Sequence, residues 1–244
     1  VVMYDTNFSP VKNIRTKFTE DDDHLLGMIC CDYNDRNKCL VVGNGDGLGT
    51  LNTMRAYIFY DCLNWKNISD NEINFNNCGE YTMIDFRNIE YFSNAYKCHM
   101  IWGEKNEDRD DIVYLVINHR QRIIKLRLGK GATQLSMGTY TETVENKYNG
   151  TFEVLKEWQQ TISDLANKDC EFRNGMIYSS VKDVGNGCVV HKQILKDNGS
   201  VEIDEIRLNP TDANGKPMLT AAPEGFLFLN NKMGFTIAGH KYLY

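Results

Sequence analysis

The sequence lacks the features that mark several large classes of protein. It has no run of about 20 apolar residues, the length that a membrane-spanning helix needs, so we expect no membrane span. Its 27 Lys and Arg are outnumbered by 33 Asp and Glu, and the net charge of −6 argues against a surface built for nucleic acid. Only 4 prolines accompany 19 glycines, which favours tight turns made by Gly and Asn over rigid loops.

The motifs of common catalytic and metal centres are also missing. The sequence contains no G-x-S-x-G elbow, no H-E-x-x-H helix motif and no C-x-x-C pair, and its 5 histidines are scattered along the chain. We therefore predict neither a metal site nor a cofactor, and a non-catalytic role is favoured over an enzyme.

The 8 cysteines suggest a core composition more than a disulfide framework. Five of them, Cys30, Cys31, Cys39, Cys98 and Cys188, fall inside predicted strands, where a free thiol behaves as a small apolar side chain. Disulfides remain the alternative because the count is even. Reduced thiols, with no basic-then-apolar leader visible in the sequence, predict a cytoplasmic or virion location.

The clearest pattern is a run of short strands over residues 170–208. The segments CEF, MIYSSV, GCVVHKQIL and VEIDEIRL are separated by RNG, KDVGNG and KDNGS, turn sequences that supply the positive φ of tight hairpins. A four-stranded antiparallel meander of about 40 residues is typical of one β-propeller blade, which needs neighbours to cover its faces.

Similar openings recur near residues 27, 90, 132, 171 and 225. Their average spacing of about 50 residues is a usual blade period. We therefore predict an all-β fold, one domain over residues 1–244, built as a propeller of about five antiparallel blades. Four or six blades, or a two-sheet sandwich, remain alternatives.

The two ends of the chain predict how such a ring would close. The sequence begins with the strand-like VVMYD and ends with KYLY, and the last blade opening, near residue 225, lacks its outer strands. Pairing N-terminal with C-terminal strands would complete that blade and remove two exposed edges.

Three segments have a less certain conformation. Leu155, Trp158, Ile162 and Leu165 share one face at helical spacing, so the sequence allows one short helix near residues 155–166 as well as a strand. The glycine-rich residues 43–49 lack the G-K-[ST] ending of a phosphate loop and the late Glu of a calcium loop, which favours a long hairpin. The acidic residues 20–23 are interpreted as a solvated loop.

One short motif, Asp61-Cys62-Leu63-Asn64-Trp65, follows a predicted strand. It resembles the S-x-D-L-x-N-W ending of blades in five-bladed furanosidase-type glycoside hydrolases, over about seven residues. The resemblance implies a propeller fold and a blade-edge turn that packs Trp65 on its blade, a structural role. The D-P-x-x-H-like N-terminal signature of that family is absent.

In a propeller the ligand site usually lies at the channel mouth, where inner strands begin. A glycosidase of this architecture would use carboxylates there, spaced about 6.5–9.5 Å apart if it inverts configuration. The candidates for that chemistry are Asp85, Asp169 and Glu224. The candidates for ligand binding are Glu90, His99, Trp102, Glu171 and Glu224. The alternative is that the acidic residues satisfy backbone amides around the channel.

Aromatic side chains offer a second kind of binding surface. If exposed, they could stack on sugar rings or anchor a protein partner, although packing inside the fold is favoured for any one of them. The candidates are Tyr57, Trp65, Tyr91, Tyr96, Trp102, Tyr140 and Tyr148.

A looser pattern spans residues 170–244: an acidic or aromatic strand, an Asn-Gly turn, IYSS, alternating hydrophobic residues with Lys, and a later Pro-Glu-Gly before a strand. It resembles the blades of propellers in phage tail and receptor-binding proteins. The resemblance implies a virion component that engages glycan or protein, with other copies or virion proteins as further partners. The sequence thus predicts a non-catalytic binding or structural module, with a glycoside hydrolase as the alternative.

Overall fold

The fold is taken from a computed structural model of the chain. It describes residues 2–5, 7, 9–16, 19–20, 24–25, 28–35, 37–44, 55–69, 71–86, 98–103, 110–117, 122–137, 140–160, 167–181, 188–212, 214–217, 223–229 and 232–237.

Three four-stranded antiparallel sheets make up the body of the protein, and each follows the order of the chain. The first sheet consists of β6 (Met28–Asn34), β7 (Cys39–Asn44), β8 (Arg55–Phe59) and β10 (Tyr81–Asp85). The second consists of β11 (Cys98–Trp102), β12 (Ile112–Ile117), β13 (Arg122–Met137) and β14 (Tyr140–Gln159). The third consists of β15 (Asn167–Arg173), β16 (Met176–Val181), β17 (Cys188–Leu195) and β18 (Val201–Leu208).

Shorter elements accompany these sheets. The antiparallel pairs are β1 (Val2–Tyr4) with β2 (Pro10–Asn13), β4 (Thr19–Glu20) with β5 (His24–Leu25), and β19 (Pro223–Leu229) with β20 (Lys232–Ile237). The parallel pair is β3 (Arg15–Thr16) with β9 (Glu72–Ile73). A 3-10 helix spans Cys62–Asn67. No helix in the described part of the chain has the length and apolarity to cross a membrane.

The second sheet is covered on both faces, and its sequence explains why. All six residues of β12, IVYLVI, are buried, which is typical of a strand packed from both sides. Because successive side chains alternate, Val113 and Leu115 pack with the first sheet, whereas Tyr114 and Val116 pack with the third. The Tyr114 ring stacks on Phe172 of β15 at 4.3 Å between centroids.

The outer faces of the first and third sheets are covered as well. On the first sheet, Val42 and Phe59 form a cluster with Ile14 of the N-terminal segment and Trp65 of the 3-10 helix. On the third sheet, Tyr178 meets Phe228 of β19 edge to face at 4.9 Å. The layers therefore follow the chain: N-terminal segment, first sheet, second sheet, third sheet, then β19 and β20.

The sheets are not simply stacked in parallel planes. Their first strands β6, β11 and β15 lie against one another, and β15 also lies against β19. The contact between β6 and β15 joins sheets that are not consecutive in the stack. The three sheets consequently fan out from a shared line of first strands.

The all-β, antiparallel class predicted from the sequence is confirmed, but the blade opening near residue 132 is wrong. The segment belongs to β13, which pairs along its length with β14 in one long hairpin. The count of five blades depended on that opening. The helical alternative is also wrong over residues 155–159, which lie in β14, with Trp158 opposite Ile123; residues 161–166 lie outside the described part.

The predicted pairing of the chain ends is not among the described ladders. Within the described strands β1 pairs with β2 and β19 pairs with β20, and residues 238–244 lie outside the description. Residues 45–49 of the glycine-rich segment and residues 21–23 of the acidic run also lie outside the description.

Candidate functional site

Two carboxylates on first strands bind the backbone of the next sheet or pair. Asp32 Oδ2 on β6 accepts the Trp102 N–H of β11 at 2.9 Å, in a buried position. Glu171 Oε2 on β15 accepts the Phe228 N–H of β19 at 3.0 Å. Charge-assisted bonds of this kind are stronger than neutral ones, so each carboxylate fastens neighbouring layers together. Glu171, predicted as a ligand-binding residue, thus holds a backbone amide, which was the alternative that the sequence left open.

The carboxylates considered for hydrolysis occupy different parts of the fold. Asp85 ends β10, at the sheet edge opposite β6, and its Oδ2 lies 3.8 Å from Arg55 Nε. Asp169 lies on β15, which contacts β6, and its Oδ1 accepts the Cys170 N–H at 2.9 Å. The architecture therefore separates Asp85 from Asp169 instead of pairing them.

Two other predicted site residues fall partly or wholly outside the description. Glu224 lies on β19, where the backbone is described but the side chain is not, and Glu90 lies outside the described residues. Their predicted ligand-binding roles stay predictions.

Several of the candidate aromatic residues pack inside the fold and offer no exposed binding surface. Tyr57, Trp65, Trp102 and Tyr148 are all buried. The Trp65 indole donates to Cys78 O at 2.9 Å and meets Phe59 edge to face, which confirms its predicted structural role. Tyr91 and Tyr96 lie outside the described residues, as does the side chain of Tyr140.

Trp102 and His99, both predicted to bind ligand, lie inside the junction of first strands. Trp102 is 1% exposed, and its Nε1 donates to Cys39 O at 3.2 Å. His99 is 0% exposed. Asp32 and Asn34 of β6 are buried beside them, so the described part of the junction is filled with side chains. Among the described residues, no group of three or more His, Cys, Asp or Glu is arranged to hold a metal.

A cross-strand row that sequence reasoning missed contains the residue types of a hydrolase triad. Ser179, His191 and Glu205 stand opposite one another on β16, β17 and β18, and His191 Nε2 lies 3.8 Å from Glu205 Oε1. However, Ser179 is 0% exposed, and its hydroxyl accepts a bond from Gln193 Nε2 at 2.7 Å. Gln193 also bonds to Gln160, just after β14. Ser179 and His191 are thus buried, and Ser179 belongs to a polar contact with the second sheet, whereas Glu205 is exposed. A substrate does not reach the serine in this conformation. Only the pairing register of β16, β17 and β18 would have shown that these three residues lie in one row.

Five cysteines have described side chains and are free thiols, and four of them are buried: Cys39, Cys62, Cys78 and Cys170, with Cys31 exposed. Burial raises the pKa of Cys39, Cys62 and Cys78 to about 12 from 9.0. Because the thiolate is the reactive form, thiols with so high a pKa are poor nucleophiles at neutral pH. They act as apolar packing groups.

The long hairpin of β13 and β14 forms an arm, here defined as residues 129–150. The ladder of β12 reaches β13 only as far as Arg127, and among the described residues β13 pairs beyond Leu128 with β14 alone. Alternation and register divide the outer part of the arm into two faces. One face holds Thr133, Leu135, Met137, Tyr140, Glu142 and Val144. The other holds Gln134, Ser136, Thr141 and Thr143.

The base of the arm is fastened to the first sheet. Tyr148 O accepts the Thr82 hydroxyl at 3.0 Å, and the Tyr148 ring stacks on Tyr60 at 6.4 Å between centroids. Lys147 forms an ion pair with Glu80 and lies over the Tyr60 ring, 4.7 Å from its centroid. The arm therefore starts from a fixed point where the second sheet crosses the edge of the first.

Gly150 is the residue that allows this crossing. Its φ is +83°, and a Cβ there would lie 2.9 Å from Met83 O. We expect Gly150→Ala to lower the free energy of unfolding by about 2–4 kcal/mol, since left-handed strain of about 1 kcal/mol adds to an overpacking cost of about 1–3 kcal/mol.

Urea unfolding followed by circular dichroism measures this effect. Gly175→Ala is the matched control, because Gly175 has a φ of +76° and open space around its Cβ position, so it carries only the strain. Equal costs for the two variants would show that β14 does not press against β10.

No protein-family model matches the chain, and no curated protein matches it.

Proposed function

We propose that the chain forms a four-bladed β-propeller, in which β1–β2 and β19–β20 together make the closing blade. The supporting observations are the order of the layers and the meeting of first strands. The N-terminal segment covers the free face of the first sheet, and β19 covers the free face of the third. In a ring of four blades the first and third blades stand opposite each other, which fits the contact between β6 and β15 across the centre.

Intramolecular cross-linking tests the closing blade. Lys12 lies on β2 and Lys232 on β20, so an amine-reactive cross-linker should join them within one monomer. Lys12 to Lys156 of β14, in the opposite blade, is the control pair and should stay unlinked. Modification of both Lys12 and Lys232 without a link between them would contradict ring closure.

We further propose that the protein is a non-catalytic binding module that engages a protein partner through the arm. The observation that carries this proposal is the contrast between the two candidate surfaces. The described junction of first strands is filled by buried side chains, whereas the arm continues well past the end of its sheet from a fixed base. One face of the arm groups Leu135, Met137, Tyr140 and Val144 by register, a composition suited to an interface core. The virion location stays a prediction from sequence.

Two double variants test the arm face. Leu135→Ser with Val144→Ser changes the apolar face, and Gln134→Ala with Thr143→Ala changes the opposite face as a matched control. Proteins recovered from source cells on the immobilised wild-type chain would be purified and titrated against each variant. We expect at least a tenfold loss of affinity, about 1.4 kcal/mol, for the first variant alone.

Three outcomes would overturn the arm proposal. Equal affinities of the two variants would remove the arm from the interface. Binding on a glycan array without a protein partner would favour the glycan expectation. Release of reducing sugar that disappears in Asp169→Asn would favour the hydrolase alternative, which no observation on the described residues now supports.

A further inference from the structure

Four asparagines carry the acceptor sequence of N-linked glycosylation, which is Asn, any residue but Pro, then Ser or Thr. They are Asn7, Asn67, Asn149 and Asn198. Asn7, Asn67 and Asn198 are exposed, whereas Asn149 is half-buried. We propose that Asn198, together with Asn7 and Asn67, is an acceptor for an N-linked oligosaccharide, and that Asn149 is not.

Asn198 lies in the tight turn between β17 and β18. Its Oδ1 accepts the Ser200 N–H at 3.0 Å and the Ser200 hydroxyl at 2.7 Å. The turn itself is held against the second sheet, because Trp158 Nε1 donates to Lys196 O at 2.8 Å. The acceptor amide therefore stands at a rigid, solvent-facing corner, where a bulky sugar disturbs no packing.

Asn149 has the same local geometry in a different setting. Its Oδ1 accepts the Thr151 N–H at 3.0 Å and the Thr151 hydroxyl at 2.7 Å, as in the Asn198 turn. Its Nδ2, however, faces the paired strand, 3.7 Å from where a Cβ of Gly131 would lie. The nitrogen of Asn149 therefore points toward β13 from a half-buried side chain, whereas Asn198 is exposed, so the two sites differ in access and not in turn structure.

The other two acceptors lie outside the three four-stranded sheets. Asn7 and Ser9 are both exposed in the connection from β1 to β2, where their N–H groups donate to Asp5 Oδ1 at 2.8 and 2.9 Å. Asn67 is the last residue of the 3-10 helix, and both it and Ser69 are exposed. Neither position takes part in the described core clusters.

The reaction needs an activated sugar as its second reactant. The asparagine Nδ2 attacks the anomeric carbon of a polyisoprenyl pyrophosphate-linked oligosaccharide and forms an N–C bond. The bond between that carbon and the phosphate oxygen breaks, the lipid pyrophosphate leaves, and the amide gives up one proton to a base of the transferase. No oxidation or reduction is involved.

This modification requires passage of the chain through the lumen of a secretory compartment. Among the described free thiols, Cys39, Cys62, Cys78 and Cys170 are buried and Cys31 is exposed. A thiol enclosed in a core is shielded from oxidants, so the four buried thiols do not stand against that location. The expected cytoplasmic or bacterial-virion location and the acceptor assignment thus make opposite predictions for the native protein.

Protein isolated from its own source distinguishes the cytoplasmic or virion location from passage through a secretory lumen. A peptide N-glycosidase hydrolyses the side-chain amide that carries the sugar and so converts each glycosylated asparagine to aspartate. Mass spectrometry of peptides then maps the converted positions. We expect conversion at Asn198, Asn7 and Asn67 and none at Asn149. No conversion at any of the four, or conversion at Asn149 without Asn198, would overturn the proposal.

Variants of the chain directed into the secretory lumen by an added leader provide the matched comparison. Ser200→Ala keeps Asn198 but removes its acceptor sequence, so one glycan step in electrophoretic mobility should disappear. Ser200→Thr should restore it. Asn209→Gln should change nothing, because Pro210 already interrupts the sequence Asn209-Pro210-Thr211. Retention of all steps in Ser200→Ala would contradict the assignment to Asn198.

Discussion

Replacing Trp102 by alanine is expected to lower the free energy of unfolding by about 3–5 kcal/mol, the usual range for a buried tryptophan. The side chain fills the contact between the first and second sheets, where it packs beside Tyr148 at 5.7 Å between ring centroids. The substitution also removes the Nε1 bond to Cys39 O and leaves that buried carbonyl without its indole donor. Urea denaturation at neutral pH, followed by both fluorescence and circular dichroism, measures the loss.

Two further variants separate packing from hydrogen bonding. Trp102→Phe keeps an aromatic ring and loses the indole N–H, so its cost should include about 1 kcal/mol for the bond together with a smaller packing loss. Leu63→Ala alters an apolar side chain that is 46% exposed and should change stability by no more than about 0.5 kcal/mol. If Trp102→Ala cost no more than Leu63→Ala, the junction of first strands would be open. A site at the channel mouth would then regain support.

Stability is expected to fall steeply above pH 9. In the folded protein the pKa of Cys39, Cys62 and Cys78 is about 12, against 9.0 for an exposed thiol. Because the folded pKa is raised, the contribution to stability is complete below pH 9 and is lost as the pH rises toward 12. Each thiol removes roughly 1.4 kcal/mol per pH unit in that window, so the three together remove roughly 4 kcal/mol per unit. Tyr60, whose pKa burial raises to about 12 from 10.0, adds to the decline above pH 10.

The measurement is a series of urea midpoints between pH 8 and pH 11 with a reductant present. Cys78→Ser is the matched variant, because its hydroxyl can replace the thiol that donates to Gly79 O at 3.4 Å and does not ionise in this range. Between pH 9 and pH 10, below the range where Tyr60 contributes, its slope should be about two thirds of the wild-type slope, since two of the three thiols remain. A wild-type slope no steeper than that of a chain without buried thiols would show that water reaches these groups.

The sequence predicted the third sheet well because its turns are specified locally. Asn174-Gly175 and Asn198-Gly199 provide the positive φ that each hairpin needs, and the strands between them alternate. The first sheet was harder to predict, because a segment that contains the 3-10 helix and β9 separates its last strand β10 from its partner β8. Nothing local in the sequence indicates that Tyr81 pairs with Phe59.

The prediction that a new sheet begins near residue 132 was wrong for a physical reason. Residues on both sides of Gly138 alternate as strands do, and a two-stranded ribbon has the same period whether it opens a new sheet or extends an old one. Burial of the predicted site residues was equally hidden. Trp102 and His99 end up inside because the first strands of different sheets meet, and contacts between sheets leave no mark on the periodicity of one strand. Glu171 was placed on a first strand correctly, but its bond to Phe228 depends on β19, about 55 residues further along the chain.

The joints made by Asp32 and Glu171 have a consequence for how this chain can change over evolutionary time. Each carboxylate recognises a main-chain N–H, so it requires no particular side chain at Trp102 or Phe228. Any residue except proline supplies the donor. Substitutions in one sheet therefore need no compensating substitution in the side chain that joins it to the next. Neighbouring sheets can diverge in sequence while their connection persists, so any visible repeat between them is lost sooner than the architecture.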